Sequence, residues 1–165
     1  SYGQYYAACN PPQNLLLSQS EQSVALSWDA PEIFQPEQYE ISWNNTWQTS
    51  YGYNSAVKRY MMHRYETSDL IEYHNKQLTA ITFKANTSVN VYKIVVFKGG
   101  SYNGSSYNPG NLVVEQNVDI STLTDGDWNT VALNNPVLIN ANVVLWYGLY
   151  LEVPGGVYPF QLGPP

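Results

Sequence analysis

Short stretches in which apolar and polar side chains alternate recur along the chain, with about ten residues between them. Alternation with a period of two is typical of β-strands that bury one face. In residues 111–120, Leu112 and Val114 share one predicted face, while Val113 and Glu115 share the other. Similar stretches, separated by Gly, Asn and Pro, are residues 14–32 (two strands), 38–45, 55–65, 77–85, 89–99, 128–139 and 143–153. This pattern predicts an all-β, mostly antiparallel sandwich.

Three segments add detail to this prediction. Residues 143–153 are apolar on both faces, which indicates a central strand covered on both sides. Residues 128–139 contain Pro136, which cannot donate a hydrogen bond to a ladder, so a break is expected there. The segment "ETSDLIEYH" predicts one short helix near residues 67–73, capped by Thr67 or Ser68.

Two tryptophans are predicted to lie in the core, because each alternates with aliphatic residues. Trp28 shares a predicted face with Val24 and Leu26. Trp146 lies within the apolar stretch 143–153. We therefore expect both indole rings to be buried.

The composition limits the classes of partner. The chain has 165 residues, of which 44% are hydrophobic and only 12% charged. Its net charge is −6 with seven Lys+Arg, which argues against nucleic acid because phosphates require a basic surface. No apolar run approaches the roughly 20 residues of a membrane span, so no membrane insertion is expected. Fifteen Tyr and many Asn, Gln, Ser and Thr predict an uncharged, hydrogen-bonding surface.

Candidate chemistry is sparse, and no catalytic residue, metal site or cofactor is predicted. Cys9 has no accompanying motif, and His63 and His74 are expected to be packed or capping residues. The sequence "DGDW" offers Asp125 and Asp127 as calcium ligands, but a glycine turn is the favoured explanation. Whether these two carboxylates bind calcium stays open.

The segment "FKGGSYNGSSYNPGNL", residues 97–112, is the most distinctive loop. It holds four Gly, three Asn, three Ser and two Tyr between two predicted strands. Rings with neighbouring amides suit sugar binding, and loops of this composition also suit protein binding. We therefore predict that Tyr102, Asn103 and Tyr107 contact a ligand. The alternative is a long hairpin loop whose tyrosines pack back on the sheet.

A second aromatic stretch, residues 44–55, contains Trp47, Tyr51 and Tyr53 without a core periodicity. These three side chains are predicted to extend the same ligand-binding surface, provided that the fold brings both loops to one end of the sandwich. Glycan binding would require exposed coplanar rings, whereas a spacer domain would bury them.

Two stretches of the chain also resemble known families. Residues 11–32 resemble the opening strands of a fibronectin type III module. From about Trp43 to Pro165 the chain resembles secreted, surface-located adhesin-like (gingipain-associated) modules of Bacteroidetes-type bacteria. The segments that carry the second resemblance are "ETSDLIEYHNKQLTAITF", "VYKIVVFKGG", "NPGNLVVEQNV", "DGDWNTVALNNPVLI", "LWYG" and "GVYPFQLGPP". The resemblance implies a jelly-roll sandwich, an extracellular or cell-surface location, and no catalytic residues.

Together these observations predict an N-terminal tail (residues 1–10), fibronectin-like lead strands packed on the main domain (11–45) and a jelly-roll sandwich (46–165). Residues 153–165 resemble a loop, so the sandwich is expected to be truncated at its C-terminus. The expected function is a non-catalytic adhesion module of a larger secreted protein, which binds an extracellular glycan or protein surface beside other domains of the same chain. The alternatives are a carbohydrate-binding module attached to a hydrolase and a structural spacer.

Overall fold

The fold is all-β in a computed structural model that describes residues 13–20, 23–29, 38–42 and 49–162. Every strand pair in these ranges is antiparallel, which confirms the predicted sandwich class. The chain divides into two compact units, residues 1–41 and 42–165, and the predicted tail lies outside the described residues. The strands are β1 (Gln13–Gln19), β2 (Val24–Asp29), β3 (Thr49–Tyr53), β4 (Val57–Tyr65), β5 (Gln77–Lys84), β6 (Val91–Lys98), β7 (Ser101–Tyr102), β8 (Tyr107–Asn108), β9 (Asn111–Val118), β10 (Trp128–Leu138), β11 (Leu145–Val153) and β12 (Val157–Leu162).

The first unit contains the predicted strand pair, β1 and β2, joined by a turn at Ser20 and Ser23. Val24 and Leu26, which share the predicted face of Trp28, are 64% and 52% exposed. A two-stranded ribbon buries a face only where a further layer covers it, and β1 and β2 form a sheet of two strands. The side chain of Trp28 lies outside the described residues.

A strand was predicted at residues 38–45. The structure describes residues 38–42 of this range, and they belong to no strand. Residues 43–45 lie outside the described part.

The second unit is organised around a four-stranded sheet in the order β4-β11-β6-β9. As predicted, β11 is central, and it pairs along its whole length with β4. The strand predicted at residues 55–65 is confirmed as β4, which lies at an edge of this sheet.

A second sheet, β5 with β10, covers the inner face of the four-stranded sheet. The rings of Phe83 on β5 and Tyr92 on β6 meet at 5.3 Å between the two layers. The fully buried side chains on the inner face of the four-stranded sheet include Tyr92, Ile94, Leu145 and Leu151. Burying an aliphatic side chain of this size stabilises a fold by about 1.5–3 kcal/mol, so this layer is the main source of stability.

Gln116 on β9 joins the two sheets where the ladder of β10 is broken. The register of β10 shifts between Ala132 and Val137, as the proline at position 136 predicts. At this break the Gln116 side chain donates to Ala132 O at 2.9 Å and accepts from Asn134 N at 2.8 Å. Its amide thus replaces a main-chain pairing between β9 and β10.

The short helix is confirmed as a 3₁₀ helix, Thr67–Tyr73, with Leu70 fully buried. Its capping residue is Glu66 rather than Thr67 or Ser68, because the Glu66 N–H donates to the Asp69 carboxylate at 2.9 Å. A second 3₁₀ helix is Ile120–Thr122. No helix in the described part of the chain is long and apolar enough to cross a membrane.

The prediction of a loop at residues 153–165 is wrong, because β12 pairs with β3 within that range. The ladder is irregular between Val157 and Phe160, where Pro159 has no N–H to donate. The sequence did not predict this strand because two glycines and this proline are residues typical of loops. Residues 163–165 lie outside the described part of the chain.

Candidate binding surface

The loop of residues 97–112 folds into a miniature hairpin, in which β7 pairs with β8. Asn103 shapes its turn: the Oδ1 atom accepts from Ser105 N at 3.0 Å and from Ser106 N at 2.9 Å. Gly104 has a φ of 94°, which other residues adopt only with strain. The structure therefore uses the Asn103 carbonyl oxygen to order the loop, and a contact between Asn103 and a ligand stays a prediction.

The base of this hairpin is closed by glycines that leave no room for side chains. A β-carbon at Gly100 would lie 2.8 Å from the Pro109 carbonyl carbon, and one at Gly110 would lie 2.8 Å from the Gly99 carbonyl carbon. Asn108 Oδ1 also accepts from Gly110 N at 3.0 Å. Two segments thus cross closely at the base, which explains why the loop is longer than a simple turn requires.

Tyr102 and Tyr107 lie side by side on this hairpin. Their ring centroids are 4.6 Å apart with a tilt of 36°, and each residue is 55% exposed. The Tyr102 hydroxyl donates to Gly104 O at 2.8 Å, which fixes its ring over the turn. The pair is therefore exposed but held in position.

Beneath Tyr107 lie two residues of the four-stranded sheet. The ring of Tyr107 meets Trp146 edge-on at 5.7 Å, and the Arg64 guanidinium lies 4.9 Å from the Tyr107 centroid and 5.4 Å from that of Trp146. Arg64 also forms an ion pair with Glu66. Arg64 was not predicted from the sequence, although its alternation with Met62 on β4 places it on the face opposite to the buried Tyr65.

Trp146 is 7% exposed, which confirms its predicted burial. Its Nε1–H donates to Gly99 O at 3.0 Å, at the base of the tyrosine hairpin. The indole ring therefore connects the central strand β11 to the hairpin.

Further rings continue from Trp146 over the outer face of the four-stranded sheet. Phe97 lies directly opposite Trp146, and Tyr60 lies directly opposite Tyr150. The Tyr60 ring lies 5.0 Å from that of Tyr150 and 6.0 Å from that of Phe97. We call the rings on this side the outer aromatic face; its members are Tyr60, Phe97, Tyr102, Tyr107, Trp146 and Tyr150.

Gly148 allows Tyr60 to cover the centre of this face. Tyr60 is on the edge strand β4, yet its ring reaches Phe97 on β6, on the far side of β11. Gly148 lies between Tyr150 and Trp146 on β11, and a β-carbon there would run into the backbone of β4. With no side chain at position 148, the Tyr60 ring passes over β11.

The charged residues on this face neutralise one another. Lys58 pairs with Glu152 at 2.9 Å, and Lys93 pairs with Glu115 at 2.5 Å. Hydrogen bonds from Lys58 and from the Tyr150 hydroxyl lower the pKa of Glu152, so its carboxylate stays ionised at neutral pH. The outer aromatic face is thus flanked by closed ion pairs rather than by unpaired charge.

Tyr51 and Tyr53 lie elsewhere. Their rings meet edge-on at 5.2 Å on β3, and the Arg59 guanidinium lies 5.5 Å from the Tyr53 centroid. Arg59 and Arg64 are five residues apart on β4, so they point to opposite faces and lie about 16 Å apart along the strand. The structure therefore brings Tyr102, Asn103 and Tyr107 together and separates Tyr51 and Tyr53 from them. Trp47 lies outside the described residues.

His74, Asp125 and Asp127 each accept a hydrogen bond from a backbone N–H. His74 Nδ1 accepts from Ala141 N at 3.1 Å, as expected for a capping residue. Asp125 accepts from Thr87 N at 2.7 Å, Asp127 accepts from Trp128 N at 2.8 Å, and the φ of the intervening glycine is 69°. The turn predicted for "DGDW" is confirmed. Among the described residues, no group of three or more His, Cys, Asp and Glu could hold a metal ion.

Comparison with known proteins adds no relative to this picture. No family model matches the chain, no curated protein matches it, and no solved structure matches it. The adhesin-like resemblance of the sequence therefore stays a prediction, and the function must be inferred from the residues themselves.

Proposed function

We propose that the protein is a non-catalytic binding module that acts outside the cell or at its surface, and that the tyrosine hairpin is its contact surface. The observation that carries this proposal is the exposed pair Tyr102 and Tyr107, held by its turn and supported by Trp146 and Arg64. The sequence resemblance to surface adhesins supports the location.

Rigid exposed rings are effective binding anchors. A ring that is already fixed loses little conformational entropy when a ligand covers it, so most of its contact energy becomes binding energy. The Asn103 turn and the Trp146 contact fix the hairpin in this way. The alternative of a connector whose tyrosines pack back on the sheet accounts for the contact between Tyr107 and Trp146, but both rings remain 55% exposed.

Exposure also favours a binding module over a structural spacer. A spacer gains stability by burying its large rings, whereas both tyrosines keep more than half of their surface exposed. Adhesion to an extracellular surface uses such rings directly.

The test is a double variant, Tyr102→Ala with Tyr107→Ala, assayed for binding to cell surfaces and to an immobilised glycan panel. We expect binding to fall by about 1–3 kcal/mol for each ring that contacts the ligand. The fold should persist, because the loss of ring contacts on the hairpin costs only about 0.5–1.5 kcal/mol each.

The matched control is Trp128→Ala, which removes a ring of similar exposure from β10. It should leave binding unchanged. If the double variant folds normally and binds as well as the parent protein, the hairpin is a connector and the proposal fails.

A further inference from the structure

We infer that the outer edge of β4 is a second binding surface, which takes an acidic, extended segment of a partner protein as an added β-strand. The added strand pairs with the main chain of β4 and extends the four-stranded sheet beyond its present edge. It uses no part of the tyrosine hairpin, so the inference goes beyond the proposed function.

The register of the sheet shows which main-chain groups of β4 point away from it. Alternate residues of a central antiparallel strand bond to its two neighbours. Val144 O accepts from Gly99 N at 2.8 Å, just before β11 begins. Glu152 O accepts from Asn90 N at 2.8 Å, just before β6 begins. The even-numbered residues of β11 therefore face β6, and its odd-numbered residues bond to the odd-numbered residues of β4.

The even-numbered residues of β4 direct their N–H and C=O groups outward; they are Lys58, Tyr60, Met62 and Arg64. Within the residues that the structure describes, none of these main-chain groups has a hydrogen-bond partner. An edge of this kind is a template for a further strand, because the ladder of main-chain bonds supplies affinity whatever the side chains are.

The charge of β4 selects the kind of strand that it can take. Its sequence, VKRYMMHRY, contains three of the seven Lys and Arg residues of the chain and no Asp or Glu, in a protein of net charge −6. In the described part of the chain the Arg59 guanidinium contacts the Tyr53 ring but forms no ion pair. Lys58 keeps 69% of its side chain exposed beside Glu152. Because opposite charges on neighbouring strands stabilise their pairing, this edge favours a strand that carries Glu or Asp.

A second copy of the chain fits this edge poorly. An antiparallel ladder between the whole of β4 and its own copy would place Lys58 of each copy opposite Arg64 of the other. Like charges directly opposite one another destabilise a strand pair. The basic residues thus oppose self-association and admit an acidic strand.

The experiment begins with an array of peptides as long as β4, with Glu at alternate positions and varied residues between them, and a matching array with Lys in place of Glu. The tightest acidic peptide is then titrated by fluorescence anisotropy at low and high salt. We expect it to bind at least about tenfold more tightly than its lysine counterpart. The difference should shrink at high salt, because ions screen exposed charges.

Amide hydrogen exchange shows whether the peptide binds as a strand. In the free protein the N–H groups of Tyr60 and Met62 should exchange faster than those of Arg59 and Met61, which bond to β11. The acidic peptide should slow exchange at Tyr60 and Met62 by at least about tenfold and leave Arg59 and Met61 nearly unchanged. A peptide held by side chains alone would not produce this alternation.

Two substitutions test the main chain and the charge separately. Met62→Pro removes an outward N–H and no bond to β11, and proline is tolerated at such an edge position. It should weaken binding of the acidic peptide at least about tenfold, whereas Met62→Ala keeps the N–H and should bind much more tightly than the proline variant. Arg59→Glu should weaken the acidic peptide and strengthen its lysine counterpart, which tests the inference even if the proline variant does not fold. Trp128→Ala, on β10, is the control and should bind normally.

Several results would overturn the inference. These are an array without a bound acidic peptide, equal binding of the acidic and lysine peptides, unchanged binding by Arg59→Glu or by a folded Met62→Pro, and exchange that slows without alternation along β4. If sedimentation shows a dimer that Met62→Pro abolishes, a second copy occupies the edge and the acidic partner is wrong.

Discussion

Replacing Trp146 by Ala tests whether one ring supports both the core and the tyrosine hairpin. The residue is 7% exposed, and truncating a buried Trp to Ala typically costs about 3–5 kcal/mol. The variant also removes the hydrogen bond to Gly99 O, which adds about 1 kcal/mol. The expected total is about 4–6 kcal/mol, a large part of the roughly 5–15 kcal/mol by which a domain is stable.

Urea unfolding followed by far-ultraviolet circular dichroism measures this loss. We expect the midpoint to fall with the slope unchanged, since the substitution changes stability rather than the surface exposed on unfolding. Trp146→Phe keeps a ring against Tyr107 but loses the Nε1–H donor, so it should cost about 1–3 kcal/mol.

The matched control is Trp128→Ala, at a residue that is 49% exposed. It should change stability by less than about 1 kcal/mol. If Trp146→Ala cost no more than this control, the ring would not be a core residue. The assignment of the outer face would then be wrong.

Three further changes probe other parts of the fold. Tyr92→Phe removes the hydroxyl that accepts from Asn86 N at 2.9 Å, and it should cost about 1–3 kcal/mol in urea unfolding; a neutral result would contradict the role of this bond. Burial raises the pKa of Tyr92, so the stabilisation by its neutral hydroxyl is complete below the unfolded pKa near 10 and is lost as pH rises through the raised folded pKa. The unfolding free energy of the Phe variant should therefore fall less with rising alkaline pH than that of the parent protein. Gly148→Ala should cost about 1–3 kcal/mol by overpacking against β4, and a stable variant with parental binding would refute the close approach. Hydrogen bonds from Ser121 lower the pKa of Asp119, so the stabilisation by its carboxylate is present above the unfolded pKa near 3.9 and is lost as pH falls through the lowered pKa. Asp119→Asn should therefore reduce the loss of unfolding free energy at acid pH. An unchanged dependence of that free energy on pH would contradict this role of Asp119.

Most of the strand positions could be predicted because alternation is a local signal. The central position of β11 followed from its apolar residues on both faces, and the break in β10 followed from Pro136. The exposure of Val24 and Leu26 could not be predicted, since alternation shows which side chains share a face but not whether a second layer covers it. The strand β12 was not predicted because its segment contains glycine and proline, which are typical of loops.

The sequence likewise predicted one part of the candidate site and could not predict another. The composition of the hairpin pointed to Tyr102 and Tyr107, which are close in sequence. Tyr60, Phe97 and Tyr150 come together only through the pairing of three strands, so no single segment indicates their contact. The separation of Tyr53 from the hairpin likewise depends on which end of β4 each contacts.

The Gln116 bridge has a consequence for how the sandwich opens. Elsewhere β10 is held by a ladder of main-chain bonds to β5, which break only when a whole strand separates. The Asn134 N–H is held instead by one side-chain oxygen, which a single bond rotation can release. Amide hydrogen exchange should therefore be faster at Asn134 than at Val131, which pairs with Ile81 in the intact ladder, because local opening needs less free energy at Asn134. Solvent would then first enter between the two sheets at this side chain.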